Sequence, residues 1–357
     1  LAVWLAAGGA GNMLARRWNR HIKDPRAAYS LVLIFSVAWL PLALIFIRLC
    51  RQVWGVGIGE TFGLAAIFLS SMATLGVSAL CDGALFACGF RLMGSMTRLY
   101  AWEAIGIIIG AIAFTLSLLA SINPFAIIFL LVAVNMAGLW LLLKSKDTLH
   151  LKNTIAISLA IALVGLAASD VINKKTLAWP WRGRTITHHK DSVYGQIVVT
   201  REKNQRTVFY DGLPLVSLPH PDLYFTSDFI HLALLHRPNS KNILFVGTAG
   251  GGLLAEAMKY PIEKIVYADT DPALISILKK MDNPLTKKEF ADPRLVIAID
   301  DGRHFLTRNR EAFDIVFIPA GLPTSLVANR YQTLEFFLKV QKALSYDGIA
   351  VFKTAGS

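Results

Sequence analysis

The sequence predicts a multi-domain protein, in which an α-helical transmembrane bundle is followed by an α/β domain with a small β-hairpin region at its start. The first observation is composition: 54% of the 357 residues are hydrophobic and 17% are charged, with a mean hydropathy of +0.50. Soluble domains carry about 25% charged residues, so a wholly soluble chain is disfavoured, and disorder or a collagen-like repeat is excluded. The second observation is that long apolar runs give way, near residue 176, to short apolar runs separated by turns.

The long apolar runs predict a transmembrane helical domain over residues 1–175. A helix needs about 20 apolar residues to cross the hydrocarbon core of a membrane. The run at residues 1–15 is shorter, and we interpret it as a helix whose beginning is missing, which gives five to six spans in all. The full-length spans are predicted at about 27–49, 61–81, 99–120, 124–143 and 153–170.

The distribution of charge indicates a membrane protein and disfavours nucleic-acid binding. The net charge is +12, and residues 1–175 hold 14 basic against 6 acidic residues, most of the basic ones in short loops. Lys and Arg in short loops mark the cytoplasmic side, which assigns the loop at residues 16–26 to the cytoplasm. We therefore expect the lipid bilayer as a partner and the bacterial inner (cytoplasmic) membrane as the location. Counting spans places the soluble part outside the cytoplasm, and an error of one span would reverse its side.

The second half predicts a β-rich part at residues 176–240 and a parallel α/β sheet at residues 241–357. Residues 197–199 and 207–210 flank a charged turn and are typical of a β-hairpin. Apolar strands that alternate with amphipathic helices are buried on both faces of a parallel sheet. The strands are predicted at 243–247, 264–268, 294–299, 314–318 and 348–353, and the helices at 251–260, 272–280 and 333–344.

A glycine-rich turn between the first of these strands and its helix predicts a nucleotide site. Gly247, Gly250 and Gly252 would let the backbone approach a ligand closely. Asp269 ends the next strand, about twenty positions further on, where an acidic side chain can bind a pair of ribose hydroxyls. Asp301 ends the third strand at the same edge of the sheet, where ligands of open α/β sheets bind. The sequence has no Gly-Lys-Ser/Thr after the turn, which excludes a P-loop, and we predict no metal site.

From residue 191 to its end, the chain resembles the polyamine aminopropyltransferases, the spermidine synthase family. The helical half resembles the membrane-embedded branch of that family, notably in the stretch from Arg98 to Gly110, and is similar to part of a major-facilitator transporter. The resemblance implies a Rossmann-like fold of the S-adenosylmethionine-dependent methyltransferase type. The matching pieces include Ser192-Val-Tyr194-Gly-Gln196, Tyr210-Asp211-Gly212, residues 246–256, Asp269-Thr-Asp271, Asp292-Pro-Arg294 and Asp301-Gly-Arg303.

The resemblance also implies roles for individual residues. Gly247 would line the site for decarboxylated S-adenosylmethionine, Asp269 would hold the ribose and Asp301 would face the adenine. S-adenosylmethionine and methylthioadenosine are the other ligands that this site could take. Candidate residues on the substrate side are Tyr194, Gln196 and Tyr224. Gln196 matches a family Gln only with an offset of one residue, which turns a strand side chain to the opposite face.

The departures from the family concern its carboxylates, so we predict no catalytic residue in this chain. Gly250 stands where the family has an Asp that receives the aminopropyl end of the ligand. Pro319 and Leu322 stand at the two carboxylate positions of the family's Asp-x-x-Asp-Pro segment, of which the second Asp is the general base. A positioned base contributes about 10²–10⁴-fold to a rate, and a dicationic amine needs carboxylates to offset its desolvation.

Three functions are compatible with the sequence. The leading hypothesis is a membrane-embedded pseudoenzyme with a degenerate aminopropyltransferase site, acting as a binding or structural subunit beside other membrane protein subunits. The alternative is an active S-adenosyl-nucleotide-dependent aminopropyl- or methyltransferase with an unidentified acceptor. A transporter is the third, and it depends only on the similarity of the helical half to part of a facilitator.

Overall fold

The computed structural model describes residues 2–22, 24–143, 149–319 and 329–353. Its contacts divide the chain into two compact units, residues 1–58 with 62–182, and residues 59–61 with 183–357. The predicted boundary at residue 175 thus lies before the observed division. The reason is that the last long helix continues to Leu177 and is followed by a helical turn, Trp179–Trp181. Leu322, one of the two residues at family carboxylate positions, lies outside the described residues.

The first unit is helical, and its described residues contain five helices, with Leu64–Met93 counted as one, that are long and apolar enough to cross a membrane. Helix starts follow local capping: Asp24 accepts a hydrogen bond from the Arg26 amide, and Asn123 accepts one from Ala126. A π-helical turn, Met72–Gly76, joins the helices Leu64–Ser71 and Val77–Met93 into one helix of 30 residues. The helices are α1 (Ala2–Trp18), α2 (Pro25–Val53), α3 (Leu64–Ser71), α4 (Val77–Met93), α5 (Met96–Leu119), α6 (Pro124–Leu142) and α7 (Leu149–Leu177).

The predicted span at 61–81 is too short at its C-terminal end, because the helix continues past Asp82 to Met93. A single Asp does not end a helix when apolar residues continue on both sides of it. The helix ends where the backbone turns left-handed at Gly94, with φ 65°, a conformation that glycine adopts without steric cost. Close contact within this unit also depends on glycine: a Cβ on Gly83 would lie 1.9 Å from the carbonyl oxygen of Gly8 in α1.

The second unit begins with a four-stranded antiparallel sheet in the order β1-β2-β3-β4. Its strands are β1 (Thr185–Asp191), β2 (Gln196–Glu202), β3 (Gln205–Tyr210) and β4 (Leu213–Leu218). The predicted hairpin is β2–β3, closed by a turn in which Lys203 has φ 52°. The sequence did not predict β1 and β4, since β1 is largely polar and β4 is short and contains Pro214.

The second sheet of this unit is five-stranded and parallel, which confirms the Rossmann-like prediction. Its order is β7-β6-β5-β8-β9, so the strand order reverses between β5 and β8. In doubly wound sheets, ligands bind outside the carboxyl ends of the strands at this reversal. The strands are β5 (Asn242–Val246), β6 (Lys264–Asp269), β7 (Leu295–Ile299), β8 (Phe313–Ile318) and β9 (Leu344–Phe352).

Helices cover both faces of the parallel sheet. One face packs Phe245, Tyr267 and Phe317 against the helices Leu223–His236 and Leu253–Ala257. The other face packs Leu244 and Val316 against the helix Leu334–Ala343. Burial on both faces explains why these strands have near-continuous apolar sequences. The helices are α8 (Leu223–His236), α9 (Leu253–Ala257), α10 (Pro272–Lys280), α11 (Pro284–Ala291), α12 (Gly302–Arg308) and α13 (Leu334–Ala343).

Candidate functional site

The glycine loop, residues 247–252, connects β5 to α9 at the carboxyl edge of the parallel sheet. Gly247, Gly251 and Gly252 have φ values of 84°, 82° and 114°, which only glycine adopts readily. The amide of Gly247 donates to the carbonyl of Ala268 over 2.9 Å, which ties the loop to the end of β6. The backbone of Gly250 is not left-handed, so its conformation would also be open to a residue with a side chain.

A buried carboxylate lies against this loop. Glu289, on α11, is 0% exposed. Its Oε1 accepts hydrogen bonds from the amides of Gly252 and Ala255 at 2.8 and 3.1 Å, and its Oε2 accepts one from Gly251 at 3.2 Å. Burial raises the pKa of the Glu289 carboxyl, and the three amide donors oppose that rise. Sequence reasoning missed this residue because Lys-Lys-Glu-Phe has the appearance of an exposed, charged segment.

Asp269 lies at the end of β6, as predicted, and is 7% exposed. The hydroxyl of Tyr267 donates to its Oδ2 over 2.8 Å, and the amide of Asp271 donates to its Oδ1 over 3.1 Å. Burial raises the pKa of Asp269, while these two donors lower it. Each carboxylate oxygen has more than one lone pair, so a side chain oriented in this way can still accept from ligand hydroxyls.

Asp271 connects the edge of the parallel sheet to the antiparallel sheet. It is 2% exposed and caps α10 by accepting from the Ala273 amide at 2.8 Å. The hydroxyls of Ser192 and Tyr210 donate to its Oδ2 at 2.6 and 3.1 Å. Burial and the Asp271 charge raise the pKa of Tyr210 well above its usual value. In the sequence, Asp271 is visible only as part of the Asp269-Thr-Asp271 motif, because its contacts with Ser192 and Tyr210 form only in the folded domain.

Asp301 lies at the start of α12, where it is already engaged. Its Oδ1 accepts from the amides of Arg303 and His304 at 3.0 and 3.2 Å, and its Oδ2 pairs with the Arg330 guanidinium. An open cleft of about 780 Å³ adjoins it and is predominantly basic. Among the described residues, the cleft is lined by Asp301, Arg303, His304, Thr307, Asn329, Arg330, Thr333 and Lys339. The adenine-facing role of Asp301 stays a prediction.

The substrate-side candidates have different surroundings. Tyr194 belongs to the same turn as Ser192 and is 42% exposed, and its amide donates to the Ser192 hydroxyl. Gln196 donates from Nε2 to Asp191 Oδ1 over 3.2 Å, so its amide group is held within the antiparallel sheet. Tyr224, in the first turn of α8, is 87% exposed. The structure therefore places Tyr194 in the turn whose Ser192 hydroxyl donates to Asp271, and the roles of all three candidates stay predictions.

Pro319 directly follows β8, at the carboxyl edge where the family pattern has its carboxylate segment. The chain continues as Ala-Gly-Leu-Pro-Thr-Ser-Leu-Val-Ala, residues 320–328, which lie outside the described residues and contain no acidic side chain in the sequence. The acidic side chains that the structure places at this edge, Asp269, Asp271, Asp300 and Asp301, all accept hydrogen bonds from the protein itself.

Comparison with known families agrees with this architecture. Residues 223–356 match the family described as the spermine/spermidine synthase domain. The C-terminal half contains a spermidine synthase domain. This domain accounts for α8 and the whole parallel sheet, and the helical unit lies outside the match. The resemblance of the helical unit to a membrane-embedded branch or to a facilitator therefore stays a prediction.

Curated proteins similar to the synthase domain are named polyamine aminopropyltransferases. The chain is 31% identical to polyamine aminopropyltransferase 1 of Aquifex aeolicus over 171 residues, which cover 47% of this chain and 60% of that protein. It is 32% identical to the enzyme of Prochlorococcus marinus over 155 residues, covering 43% of this chain and 54% of that protein. The chain thus spans little more than half the length of these relatives.

Solved structures of spermidine synthases are also similar. A spermidine synthase in complex with the transition-state analogue AdoDATO aligns with 46% of this chain and 57% of its own, at 24% identity and a TM-score of 0.43. The spermidine synthase of Thermotoga maritima aligns with 46% of this chain and 56% of its own, at a TM-score of 0.42.

Proposed function

We propose that this chain is a membrane-anchored, spermidine synthase-like protein that binds an S-adenosyl nucleoside and does not transfer an aminopropyl group to a polyamine. The main observation behind the proposal is that the positions of the family's catalytic and substrate-binding carboxylates hold other residues, whereas the nucleoside-binding positions are kept. Gly250 and Pro319 stand where the family has acidic groups, and residues 319–328 contain none. The nucleoside side of the site, in contrast, keeps its glycine loop and Asp269.

The geometry at Asp269 supports nucleoside binding. The side chain lies at the end of β6, next to the glycine loop, and two donors fix its orientation. A buried carboxylate with a fixed orientation suits a pair of vicinal hydroxyls, because two donors can approach its free lone pairs. The resemblance to the spermidine synthase family implies an S-adenosyl nucleoside as the ligand class, and the similar curated proteins are named polyamine aminopropyltransferases.

The electrostatics of the edge oppose a polyamine. A dication needs carboxylates to replace its hydration, and each acidic group that the structure describes at this edge already accepts hydrogen bonds from the protein, so only its remaining lone pairs are available to a ligand. The cleft beside Asp301 contains Arg303, Arg330 and Lys339, which repel a cationic amine. In the absence of a general base, the attacking amine would also remain protonated, which costs about 10²–10⁴-fold in rate.

Membrane anchoring rests on the helical unit. Five helices have sufficient length and hydropathy, and in α5 none of residues 96–119 is buried within the chain. Such a helix is suited to contact with lipid or with another membrane subunit. Two features support a role as a binding or structural subunit of a membrane complex. The surface of α5 is exposed, and the family's acidic groups are replaced at Gly250 and Pro319.

Calorimetry on the full chain in detergent tests the proposal. We expect binding of methylthioadenosine and decarboxylated S-adenosylmethionine, and no spermidine when putrescine is added. Asp269→Asn should weaken nucleoside binding by about tenfold or more, since a hydrogen bond to a charged group contributes about 1.5–3 kcal/mol. Asp282→Asn, an exposed carboxylate elsewhere in the domain, is the matched control. Spermidine formation above the uncatalysed rate would refute the proposal.

A second candidate function is transfer from an S-adenosyl nucleotide to an acceptor that is not cationic. The basic character of the cleft beside Asp301 favours it, because such a cleft would attract an anionic acceptor. Release of methylthioadenosine or S-adenosylhomocysteine in the presence of membrane extracts is the measurement. Product release that is lost in Asp269→Asn and kept in Asp282→Asn would favour this candidate over a purely binding role.

A further inference from the structure

The connection between α1 and α2 carries four exposed arginines, which we call the arginine cluster: Arg16, Arg17, Arg20 and Arg26. The first two lie in the last turn of α1, and the last lies in the first turn of α2. Within the residues that the structure describes, none of these four side chains forms an ion pair. The one acidic residue of residues 16–26 is Asp24, and its carboxylate caps α2. The positive charge of the cluster is therefore not neutralised by the protein.

The backbone beneath the arginine cluster is held in place by α4. Arg91, in the last turn of α4, donates from Nη1 to the carbonyl oxygens of Asn19 and Ile22, the second over 3.2 Å. The Asn19 side chain is buried, and its Nδ2 donates to Cys88 Sγ over 3.3 Å. The connection is thus already ordered, so an anion that binds to the exposed arginines does not have to order its backbone.

The surface next to the arginine cluster is apolar. Met13 and Leu14, which precede the cluster on α1, are exposed, and so is Trp18 within it. Tryptophan is enriched where the headgroups of a membrane meet its hydrocarbon core. The neighbouring helix α2 is long and apolar enough to cross that core. A ligand with both an anionic group and a hydrocarbon chain would therefore match this surface, whereas a small soluble anion would use only the charge.

We propose that the arginine cluster binds the phosphate of an anionic phospholipid, whose acyl chain lies along the exposed apolar side chains of α1. The inference rests on the proposed membrane anchoring and goes beyond it, because it names a lipid class and the residues that select it. A guanidinium group is a planar fork of donors that matches two oxygens of one phosphate. Arginines that converge at a membrane surface attract anionic lipids more strongly than zwitterionic ones.

The test uses the full chain in phosphatidylcholine vesicles that contain phosphatidylglycerol as a minor component. After mild detergent extraction, native mass spectrometry counts the lipids that remain bound. The wild type should retain phosphatidylglycerol with an enrichment of at least about tenfold over its share in the vesicle. Arg16→Gln/Arg17→Gln should lower this enrichment to less than about twofold, because two of the four cations are removed.

A second variant removes the other half of the cluster without changing α1. Arg20→Gln/Arg26→Gln should also lower the enrichment, by at least about threefold. Because the side chains of all four arginines are exposed, we expect both variants to fold. Hydrogen exchange in α1 and α4 checks this, and unchanged enrichment in both folded variants would overturn the proposal.

Lys174→Gln/Lys175→Gln is the matched control, because it also removes two exposed cations from the last turn of a helix, α7. Asp170 lies one turn before Lys174 and offsets part of that charge. The control should change the enrichment by less than about twofold. A loss as large as that in the arginine variants would show a general effect of net charge and no local site.

The remaining outcomes separate this inference from the proposed function. Flotation shows whether the chain enters the vesicles, and a wild type that stays outside them would refute membrane anchoring and the lipid site together. A wild type that enters them without retaining an excess of phosphatidylglycerol would refute only the lipid site. Added inorganic phosphate should leave the bound lipid in place. Release by phosphate would identify a site for soluble anions and would overturn the assignment to a lipid.

Discussion

Gly250 is the residue at which a lost carboxylate can be restored with the least disturbance. Its backbone is not left-handed, and an added Cβ would lie 3.1 Å from Cδ1 of Leu278, a buried side-chain end that has to shift by only a few tenths of an ångström. We predict that Gly250→Asp folds and strengthens binding of decarboxylated S-adenosylmethionine, relative to methylthioadenosine, by about tenfold, as expected for a charge-assisted hydrogen bond. Calorimetry with the two ligands measures the ratio.

Gly251→Asp is the matched control for that experiment. Gly251 has φ 82°, and its added Cβ would meet Val216 at 2.4 Å. The same substitution one residue later should therefore destabilise the domain instead of improving affinity. If both variants fold and neither changes the ligand ratio, position 250 does not face the aminopropyl end.

The direction of the Glu289 pKa shift predicts how the stability of the domain depends on pH. Burial raises the pKa of its carboxyl above the usual 4.5, so the folded domain binds this proton more tightly than the unfolded chain does. The free energy of unfolding contributed by this group is therefore largest at low pH and falls as pH rises through the folded-state pKa. Glu289→Gln abolishes this titration. The stability of the variant relative to wild type should thus increase as pH rises above about 4.5.

Hydrogen exchange in β5 and β6 at several pH values measures this difference, after correction for the intrinsic exchange rate. All eight tryptophans lie at or before residue 181, so their fluorescence does not report on this unit. The pKa of Asp269 is also raised. Because Asp269 is present in both the wild type and Glu289→Gln, its contribution cancels in the difference between their stabilities. A difference that is flat or falls with pH would contradict the prediction.

At the scale of elements, Arg294 holds the start of β7 against the segment that follows α9. Its guanidinium donates to both carboxylate oxygens of Asp292, and to the carbonyls of Met258, Tyr260 and Ile262 at 3.0–3.3 Å. The hydrogen bonds from Arg294 lower the pKa of Asp292. The stability contributed by Asp292 is therefore present above its unfolded-state pKa and is lost as pH falls through the folded-state value.

We predict that Arg294→Lys destabilises the α/β unit by about 1–3 kcal/mol, because an ammonium group cannot reproduce this planar set of donors. The loss should be larger at pH 7 than below the folded-state pKa of Asp292. Arg310→Lys, an exposed arginine before β8, is the control and should change stability by less than about 0.5 kcal/mol. Equal losses in the two variants, measured by hydrogen exchange in β6 and β7, would refute the role of Arg294.

The elements that sequence patterns predicted are those whose partners are close in sequence or whose burial is uniform. Continuous apolar runs predicted all five parallel strands, and the β2–β3 hairpin follows from a local turn at Lys203. Helices α8, α11 and α12 were not predicted, because their residues vary in polarity without a clear period. Glu289 belongs to this group: its charge is compensated by a loop 37 residues earlier, a relation that only the tertiary fold creates.

At the scale of the whole molecule, the side of the membrane on which the α/β unit lies determines which nucleosides it can meet. The observed helix bounds are compatible with the assignment made from charge: the basic sequence segments near Arg20, near Arg98 and at positions 144–148 alternate with connections, residues 54–63 and 120–123, that contain no Lys or Arg. If α1 ends on the cytoplasmic side, the five candidate spans that follow it predict that residue 183 onward lies outside. In that arrangement the ligand must come from the extracytoplasmic space.

Cysteine labelling in intact cells tests this assignment. The three native cysteines are buried in the helical unit, and the α/β unit has none. A single Lys203→Cys substitution in the exposed β2–β3 turn should react with a membrane-impermeant thiol reagent without permeabilisation. Arg20→Cys, in the loop after α1, should react only after permeabilisation. The reverse pattern would place the α/β unit in the cytoplasm, where S-adenosyl nucleosides are made, and would strengthen the transferase candidate over the binding role.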